Sequence, residues 1–431
     1  MSALWFRVFL PHFKHASCVT LRGSIYMEIF LARQPVFDRQ LNAIAYELLY
    51  RGGRVQHAVI DNPSHASMQV LVNAFSEIGL EKITSGKPAL VNIPHEILVT
   101  GGLPKGLQKL LIPEVLENVT VDKNVIQEVK NLVSLGYRVA LDDFVYSDAW
   151  KPLIAVASFI KLDVLALGVE QVKEQLARIR LCGNTKGKLL AEKVETHEEF
   201  ELYKSMGFDY FQGYFLCRPH VMACKAVPAS HLVITSLLSE LARDDYDVDS
   251  VARIICQDPR LSYKLMRVVN SASFGLSRTV KTVEDTIVIL GSYELRRWAS
   301  MLALSNVDSK PHELLVTAIV RAKMCELVAK QLKRQNPGSY FTAGLFSLLA
   351  ALLDRPLEQI VSQMPLSAEL ELALVTGGGD IGQVLRAVEA YEAGRFEESL
   401  LLGMTAALFW DVYLEALEWS AVASHAMLGR G

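Results

Sequence analysis

Apolar runs of four to six residues recur through the first 220 positions, and each closes on an acid, an amide or a lysine. They carry Glu47 in AYELLYR, Asn92 in ALVNIP, Glu114 in LIPEVLE, the pair Asp142-Asp143 in VALDDF, Lys161 in FIKLD, Glu192 in LLAEKVE and Gln212 in YFQGY. The runs return at intervals of roughly 20 to 45 residues with helical stretches between them, the grammar of β-α units. Ahead of them, Met27 opens EIFLARQPVFD, which predicts a first strand. Val125 to Leu135, apolar at 125, 126, 129, 132 and 133, has the period of an amphipathic helix packed outside a barrel, and Gly136 ends it as a C-cap. A parallel barrel built this way gathers the C-terminal ends of its strands on one face, where the active site of such barrels lies.

After Pro219 the pattern changes. From about 226 to 425 the strand signal almost vanishes and apolar residues recur at three and four. The spacing predicts helices over Leu232 to Leu241, Val248 to Cys256, Leu261 to Val269, Thr282 to Leu290, Leu314 to Leu332 and Tyr340 to Leu353. Asp258-Pro259 and Asn336-Pro337-Gly338 break them, by turn initiation and by loss of a backbone donor. Pro219 and Pro228 bracket a connector, so the chain divides into an α/β, TIM-like barrel over 27–222 and an all-α domain over 226–425.

Composition is consistent with two cores: 431 residues, 51% of them hydrophobic, exceed what one ordinary core needs. A formal net charge of −3 offers no bulk attraction to a nucleic-acid polymer or a membrane surface, so a polyanion has to be gripped locally. No uninterrupted apolar stretch reaches the roughly 18 residues that span a bilayer. Six scattered cysteines without a CxxC pair suit a reducing cytoplasm. Residues 1–26 hold Arg7, Lys14 and Arg22 but no acid; they read either as an extension that is disordered or not translated, or as a short amphipathic anchor.

The chemistry lies on the rim. Glu47, Glu114, Asp142, Asp143 and Glu192 cannot all stay ionised side by side without compensating positive charge. Divalent metal held by oxygen ligands supplies it economically, and two such ions clamp the two oxygens of a phosphodiester displacement. Taken singly, an acid at the end of a strand is ordinarily a loop residue or a helix N-cap.

Together these residues resemble the EAL domain, the cyclic di-GMP phosphodiesterase module, whose E-x-L-x-R motif is here Glu47-Leu48-Leu49-Tyr50-Arg51. Asp258-Pro259-Arg260-Leu261, Val268-Val269-Asn270-Ser271-Ala272 and Leu290-Gly291 before Leu295-Arg296-Arg297-Trp298 make the helical half resemble the HDOD domain, a signalling module derived from HD phosphohydrolases. The resemblance implies that Glu47, Asn92, Glu114, Asp142 and Asp143 hold Mg²⁺ or Mn²⁺, that Glu192 is the general base, and that Lys161 holds the water and offsets transition-state charge. Gln34, Arg51 and Gln212 match ligand contacts, the guanidinium suiting a phosphate. Glu117, second acid of Glu114-Val115-Leu116-Glu117, matches a loop-supporting position or is a solvated acid; Glu195 is a supporting residue behind Glu192.

Two departures from the EAL pattern stand out. Active members follow the aspartate pair with a glycine-rich loop that couples dimer contacts to metal binding, whereas here Phe144-Val145-Tyr146-Ser147-Asp148-Ala149-Trp150 follows, without glycine. Lys193 stands where the family has glycine; it either pairs with Glu192 and depresses its pKa or points to solvent. In the HDOD half, Ser347 and Leu348 occupy the place of the His-Asp pair of HD hydrolases, which argues against metal-dependent hydrolysis there, and His312 and His425 read as surface or helix-end residues. Asn270-Ser271 and Trp298 form either a groove or core.

The resemblance therefore implies a cytoplasmic, bacterial signalling protein that hydrolyses cyclic di-GMP to the linear dinucleotide, in motility or biofilm control. Its HDOD half would bind a protein partner or regulate, and the EAL half would have the option of a homodimer. The alternatives are a receptor that binds cyclic di-GMP without cleaving it, favoured by the rebuilt loop, and a pair of interaction scaffolds around a fossil barrel.

Overall fold

A computed structural model describes residues 29–52, 80–100, 103, 106–183, 187–217, 229–243, 246–271, 274, 276, 280, 282–305 and 310–428. The extension over 1–26 and the connector over 218–228 lie outside the described residues. Among those described, eight strands close a barrel in sequence order: β1 (Ile29–Asp38), β2 (Ala43–Gly52), β3 (Ala89–Ile93), β4 (Leu111–Val115), β5 (Ala140–Leu141), β6 (Phe159–Asp163), β7 (Lys188–Glu192) and β8 (Tyr210–Phe211). Every polar residue that closes an apolar run lies on a strand or directly after one.

The all-parallel expectation needs one correction. β1 runs antiparallel to both neighbours, β2 and β8, while β2 through β8 are parallel. The cause is local. Asp38 Oδ1 accepts from the backbone N–H groups of Gln40 and Asn42, both at 2.8 Å, and Leu41 takes φ +64°. This turn is too tight for the crossover a parallel pair requires, so β1 and β2 form a hairpin and no helix covers it from between them.

The Lys123–Ser134 helix buries Val125, Val129 and Leu132 against the barrel, is capped by Asp122, and ends before Gly136 at φ +91°, as its pattern predicts. The Val164–Leu181 and His197–Met206 helices cover β6 to β8.

The second half is helical throughout its described residues. The Val248–Cys256 helix has the predicted bounds, and the His312–Gln331 helix differs from its predicted span by a residue or two at each end. The Thr282 to Leu290 prediction extends, through a kink at Gly291, into Val283–Leu304. The single helix expected over Tyr340 to Leu353 is two, Pro337–Phe346 and Leu349–Leu353, parted at Ser347-Leu348. The core of this half reaches the barrel: Ala32 of β1 is fully buried within it, and Leu49 of β2 packs against it. The helical domain thus covers the flank that the hairpin leaves without a helix.

Candidate active site

A strand puts alternate side chains on one face, so the barrel interior fills in layers two residues apart. Val36, Ala45, Leu90, Ile112, Ala140, Phe159 and Leu190 form an apolar layer across seven strands. Two residues further along the parallel strands stand Glu47, Asn92, Glu114, Asp142, Lys161 and Glu192, and Gln212 follows Tyr210 in the same way. Gln34 lies two residues before Val36 instead, because β1 runs in the opposite direction. The polar layer is thus a single ring at the C-terminal rim.

At its centre is Lys161, with no exposed surface. Its Nζ lies 2.5 Å from Glu114 Oε1, 2.7 Å from Asp142 Oδ1, 2.9 Å from Glu192 Oε1 and 3.3 Å from Glu47 Oε2. Burial works against the ammonium, but the four carboxylates outweigh it and hold the Lys161 pKa well above its ordinary value. One cation against four acids leaves an excess of negative charge. Burial accordingly pushes Glu114 well above the usual carboxylate range and Glu192 up to about 8, with Lys161 opposing the shift in both.

Carboxylate oxygens of Glu47, Glu114 and Asp142 all lie within 4.8 Å of one another, a spacing suited to a metal ion. The side-chain amide of Asn92 faces Glu114 Oε2 at 3.3 Å and Asp142 Oδ2 at 3.2 Å. Its NH₂ placed there donates to both acids; its carbonyl placed there joins them as a third kind of oxygen ligand. Glu192 Oε2 and Gln212 Oε1 are buried without a hydrogen-bond partner among the described residues. All of these donors are hard oxygens, so the set fits Mg²⁺ or Mn²⁺. Gln212 Nε2 donates to Glu47 Oε2 at 2.6 Å and to Gln34 Oε1 at 3.0 Å, joining both glutamines to the ring.

Comparison with known proteins agrees with this geometry. Residues 103–219 match the EAL domain and residues 227–363 the HDOD domain. Over 406 residues the chain is 33% identical to YuxH of Bacillus subtilis (strain 168), an alignment spanning 91% of this chain and 98% of that one. It is 32% identical over 400 residues to the cyclic di-GMP phosphodiesterase CdgJ of Vibrio cholerae serotype O1, across 91% of this chain and 92% of the relative. The chain is an EAL–HDOD protein. Among solved structures it is similar to the Bacillus subtilis YkuI protein, which has an EAL domain and was solved with cyclic di-GMP and calcium; identity is 18%, coverage 63% of this chain and 72% of that one, and TM-score 0.37.

Three other expected site residues of this EAL–HDOD chain, Asp143, Glu117 and Glu195, fall outside the ring. Asp143 turns away at φ +40° and is half-buried; burial raises its pKa, against the pull of Lys193. Glu117 is exposed on the turn after β4. Glu195 sits on the loop beyond β7, where its backbone N–H donates to Glu199 Oε2 at 2.7 Å. Arg51 lies on β2, and its side chain is outside the described residues.

Lys193 does not pair with Glu192. Its ammonium bonds Asp163 Oδ2, and the Glu192 pKa is raised rather than depressed. Lys193 adopts φ +57°, the left-handed conformation that explains the glycine expected there. The sequence reading missed Asp163, which faces Glu192 across β6 and β7, accepts from Ala166 N–H at 2.8 Å and takes Lys193. The one acid of FIKLD, two places after Lys161, was its only signal. Gly213, next to Gln212, is required by close approach: a Cβ there would stand 2.1 Å from the Val194 carbonyl oxygen.

The loop after Asp143 needs no glycine because Asp143 itself supplies the positive φ. Phe144 is buried edge-on against Trp150, with ring centroids 5.7 Å apart, and Tyr146 N–H donates to Gln175 Oε1 at 2.7 Å. In the HDOD half, Arg321 Nη1 donates to Ser347 Oγ at 2.9 Å and to Glu389 Oε1 at 3.1 Å, while Nε and Nη2 clasp Glu392 Oε2 at 2.9 and 2.7 Å. A guanidinium, itself held by two acids, therefore donates to the serine in the His-Asp place. Asn270 pins the Val280 backbone through both amide atoms, and Trp298 is a buried core residue whose Nε1 donates to Glu294. His425 is exposed near the end of its helix.

Proposed function

We propose that this protein hydrolyses cyclic di-GMP to the linear dinucleotide at the C-terminal rim of its barrel. The observation that carries the reading is the convergence of four buried carboxylates on Lys161. A structural core has no use for such a cluster, whereas a cation-dependent phosphodiesterase needs one.

In this reading Glu47, Asn92, Glu114 and Asp142 would hold one or two Mg²⁺ or Mn²⁺ ions, and Asp143, outside the ring, would join them only by turning toward it. Divalent cations there supply positive charge to the phosphate and make water a stronger acid. The remaining roles belong to the chain itself. Glu192 Oε2, buried and without a hydrogen-bond partner among the described residues, accepts the proton of the attacking water. Lys161 Nζ stays charged and stands beside Glu192, where it orients that water and offsets charge growing on the phosphate oxygens. Gln34 and Gln212 orient the ligand from the β1 and β8 side, and Arg51 contacts a phosphate. The HDOD half serves as regulator or partner-binding element. The name of the CdgJ relative supports the substrate.

The pinned loop after Asp143 favours a second reading, a receptor that binds cyclic di-GMP without cleaving it. Turnover by the purified full chain in Mg²⁺, Mn²⁺ and metal-free buffer, with binding followed in Ca²⁺, separates the two. Metal-dependent linear dinucleotide is the expected result; tight binding with no product over hours replaces the enzyme by the receptor.

A further inference from the structure

We propose that Glu313 and Tyr413 of the helical half are positioning residues for the barrel's rim, holding the β1–β2 hairpin where Gln34 and Glu47 meet Gln212. This rests on the metal-dependent reading of the rim and assigns part of that site's geometry to the other domain.

The starting point is the open edge of β1. Gln34 and Glu47 are direct partners across the hairpin, and both take a hydrogen bond from Gln212 Nε2. On its other side β1 is paired with β8 through Phe37 and Asp38, and among the described residues no strand runs beside Leu31 to Pro35. Backbone groups on such an edge need partners when they are buried. Two tyrosines of the helical half provide them. Tyr391 Oη donates to the Leu31 carbonyl at 2.8 Å, and the Arg33 N–H donates to Tyr413 Oη at 3.2 Å. Both tyrosine side chains are buried.

The second strand of the hairpin is gripped as well. Tyr46 precedes Glu47, and alternation turns it outward, where its Oη donates to Glu313 Oε1 at 2.9 Å. Both side chains are buried, and the Arg33 guanidinium lies 4.1 Å over the Tyr46 ring. Hence each residue on which Gln212 acts, Gln34 and Glu47, is the chain neighbour of one anchored by the helical half.

Packing against the helical half holds Ala32 and Leu49 further along the hairpin, but it is incomplete beside Gln34 and Tyr46. A cavity of about 90 Å³ lies between the halves, lined by Arg33, Gln34 and Tyr46 on one side and by Glu313, Arg321 and Tyr413 on the other. With that space beside Gln34 and Tyr46, the hydrogen bonds of Tyr413 and Glu313 fix this part of the hairpin more closely than packing does. A shift of a fraction of an ångström passes straight to the Glu47 carboxylate, and metal and phosphate sites tolerate such looseness poorly.

The test uses the full chain and three variants: Glu313→Leu, Glu313→Gln and Tyr413→Phe. Mn²⁺ affinity is measured by calorimetry and by loss of the free-ion resonance signal, and kcat and KM for cyclic di-GMP are measured separately. Glu313→Leu, which acts on Glu47 through its chain neighbour Tyr46, is expected to weaken Mn²⁺ about tenfold, the low end of the cost of losing a ligand's direct partner, and to lower kcat more than it raises KM. Glu313→Gln, whose Oε1 still accepts from Tyr46, is expected to restore both, and Tyr413→Phe to fall between. If Glu313→Leu fails to fold, Tyr413→Phe and Glu313→Gln decide. Lower thermal stability with unchanged Mn²⁺ affinity and kcat overturns the proposal, as does a wild-type chain that takes up no Mn²⁺. A wild type that binds Mn²⁺ but releases no linear dinucleotide removes the hydrolase reading, and the titrations still decide the positioning roles.

Discussion

Lys161 Nζ lies 2.5 Å from Glu114 Oε1, and neither side chain has any exposed surface. Three further acids reach the same ammonium, so this lysine is the fixed counter-charge around which the rim is built. A buried pair contributes little net stability, yet removing one partner leaves the other stranded.

Lys161→Met should therefore lower turnover by about 10² to 10³, the scale seen when one group that stabilises transition-state charge is lost. It should also destabilise the metal-free protein by roughly 3 to 5 kcal/mol through unpaired acids. Added Mn²⁺ should restore much of this, since a ligand at 100 times its Kd stabilises by about 2.7 kcal/mol. Thermal melts with and without Mn²⁺, beside a turnover assay, check both statements. Unchanged turnover would remove Lys161 from the mechanism.

Glu47→Ala and Glu192→Ala should both abolish turnover but differ in binding. Glu47 belongs to the carboxylate triad with metal-ligand spacing, whereas Glu192 Oε2 is the buried oxygen with no described partner. Calorimetry with cyclic di-GMP in Ca²⁺ should accordingly lose its signal in Glu47→Ala and keep most of it in Glu192→Ala. Equal loss in both would contradict the separation of roles.

Lys193→Gly sets backbone strain against an ion pair. A non-glycine residue in the left-handed region costs about 1 to 2 kcal/mol, which glycine relieves. The bond to Asp163 is half-exposed on the lysine side, and such pairs contribute about 0 to 1 kcal/mol. Urea unfolding should find the variant as stable as wild type or slightly more so. Lys193→Ala keeps the strain and loses the pair, and should be less stable than either.

In the helical half, Glu326 tests pH dependence. Burial opposes its charge, but Arg297, Lys323 and Lys330 around it bring the carboxyl down to about 2. With a depressed folded pKa, the contribution is fully present above the unfolded value of 4.5 and is lost as pH falls through about 2. The shift corresponds to about 3 kcal/mol at neutral pH. Denaturant unfolding from pH 7 to 2 should show wild type losing this increment between about pH 4.5 and 2. Glu326→Gln should begin lower by a similar amount, since it leaves Arg297 and Lys323 buried beside a neutral group. Parallel pH curves for the two proteins would refute the shift.

Alternation made the polar ring at the rim legible. In a strand, facing is a property of position parity, so a polar residue two places beyond an apolar interior residue faces the interior in the next layer, whatever its chemistry. Glu47, Asn92, Glu114, Lys161 and Glu192 could be found in that way. Asp163 and Gly213 could not. The first sits at the right height but turns to Lys193, and the second matters only because the Val194 carbonyl lies where its Cβ would be.

By itself the sequence determined the strand and helix periods, the change of grammar near 220 and the identity of the rim acids, all of which are local properties of spacing and side-chain type. Only the tertiary structure decided the direction of β1, the turning of Asp143 and Lys193 away from the ring, and the grip of Glu313 and Tyr413 on the hairpin. The physical reason is separation: Tyr46 and Glu313 are 267 residues apart, and no periodicity in either segment encodes a hydrogen bond that exists once the helical domain packs on the flank of the barrel.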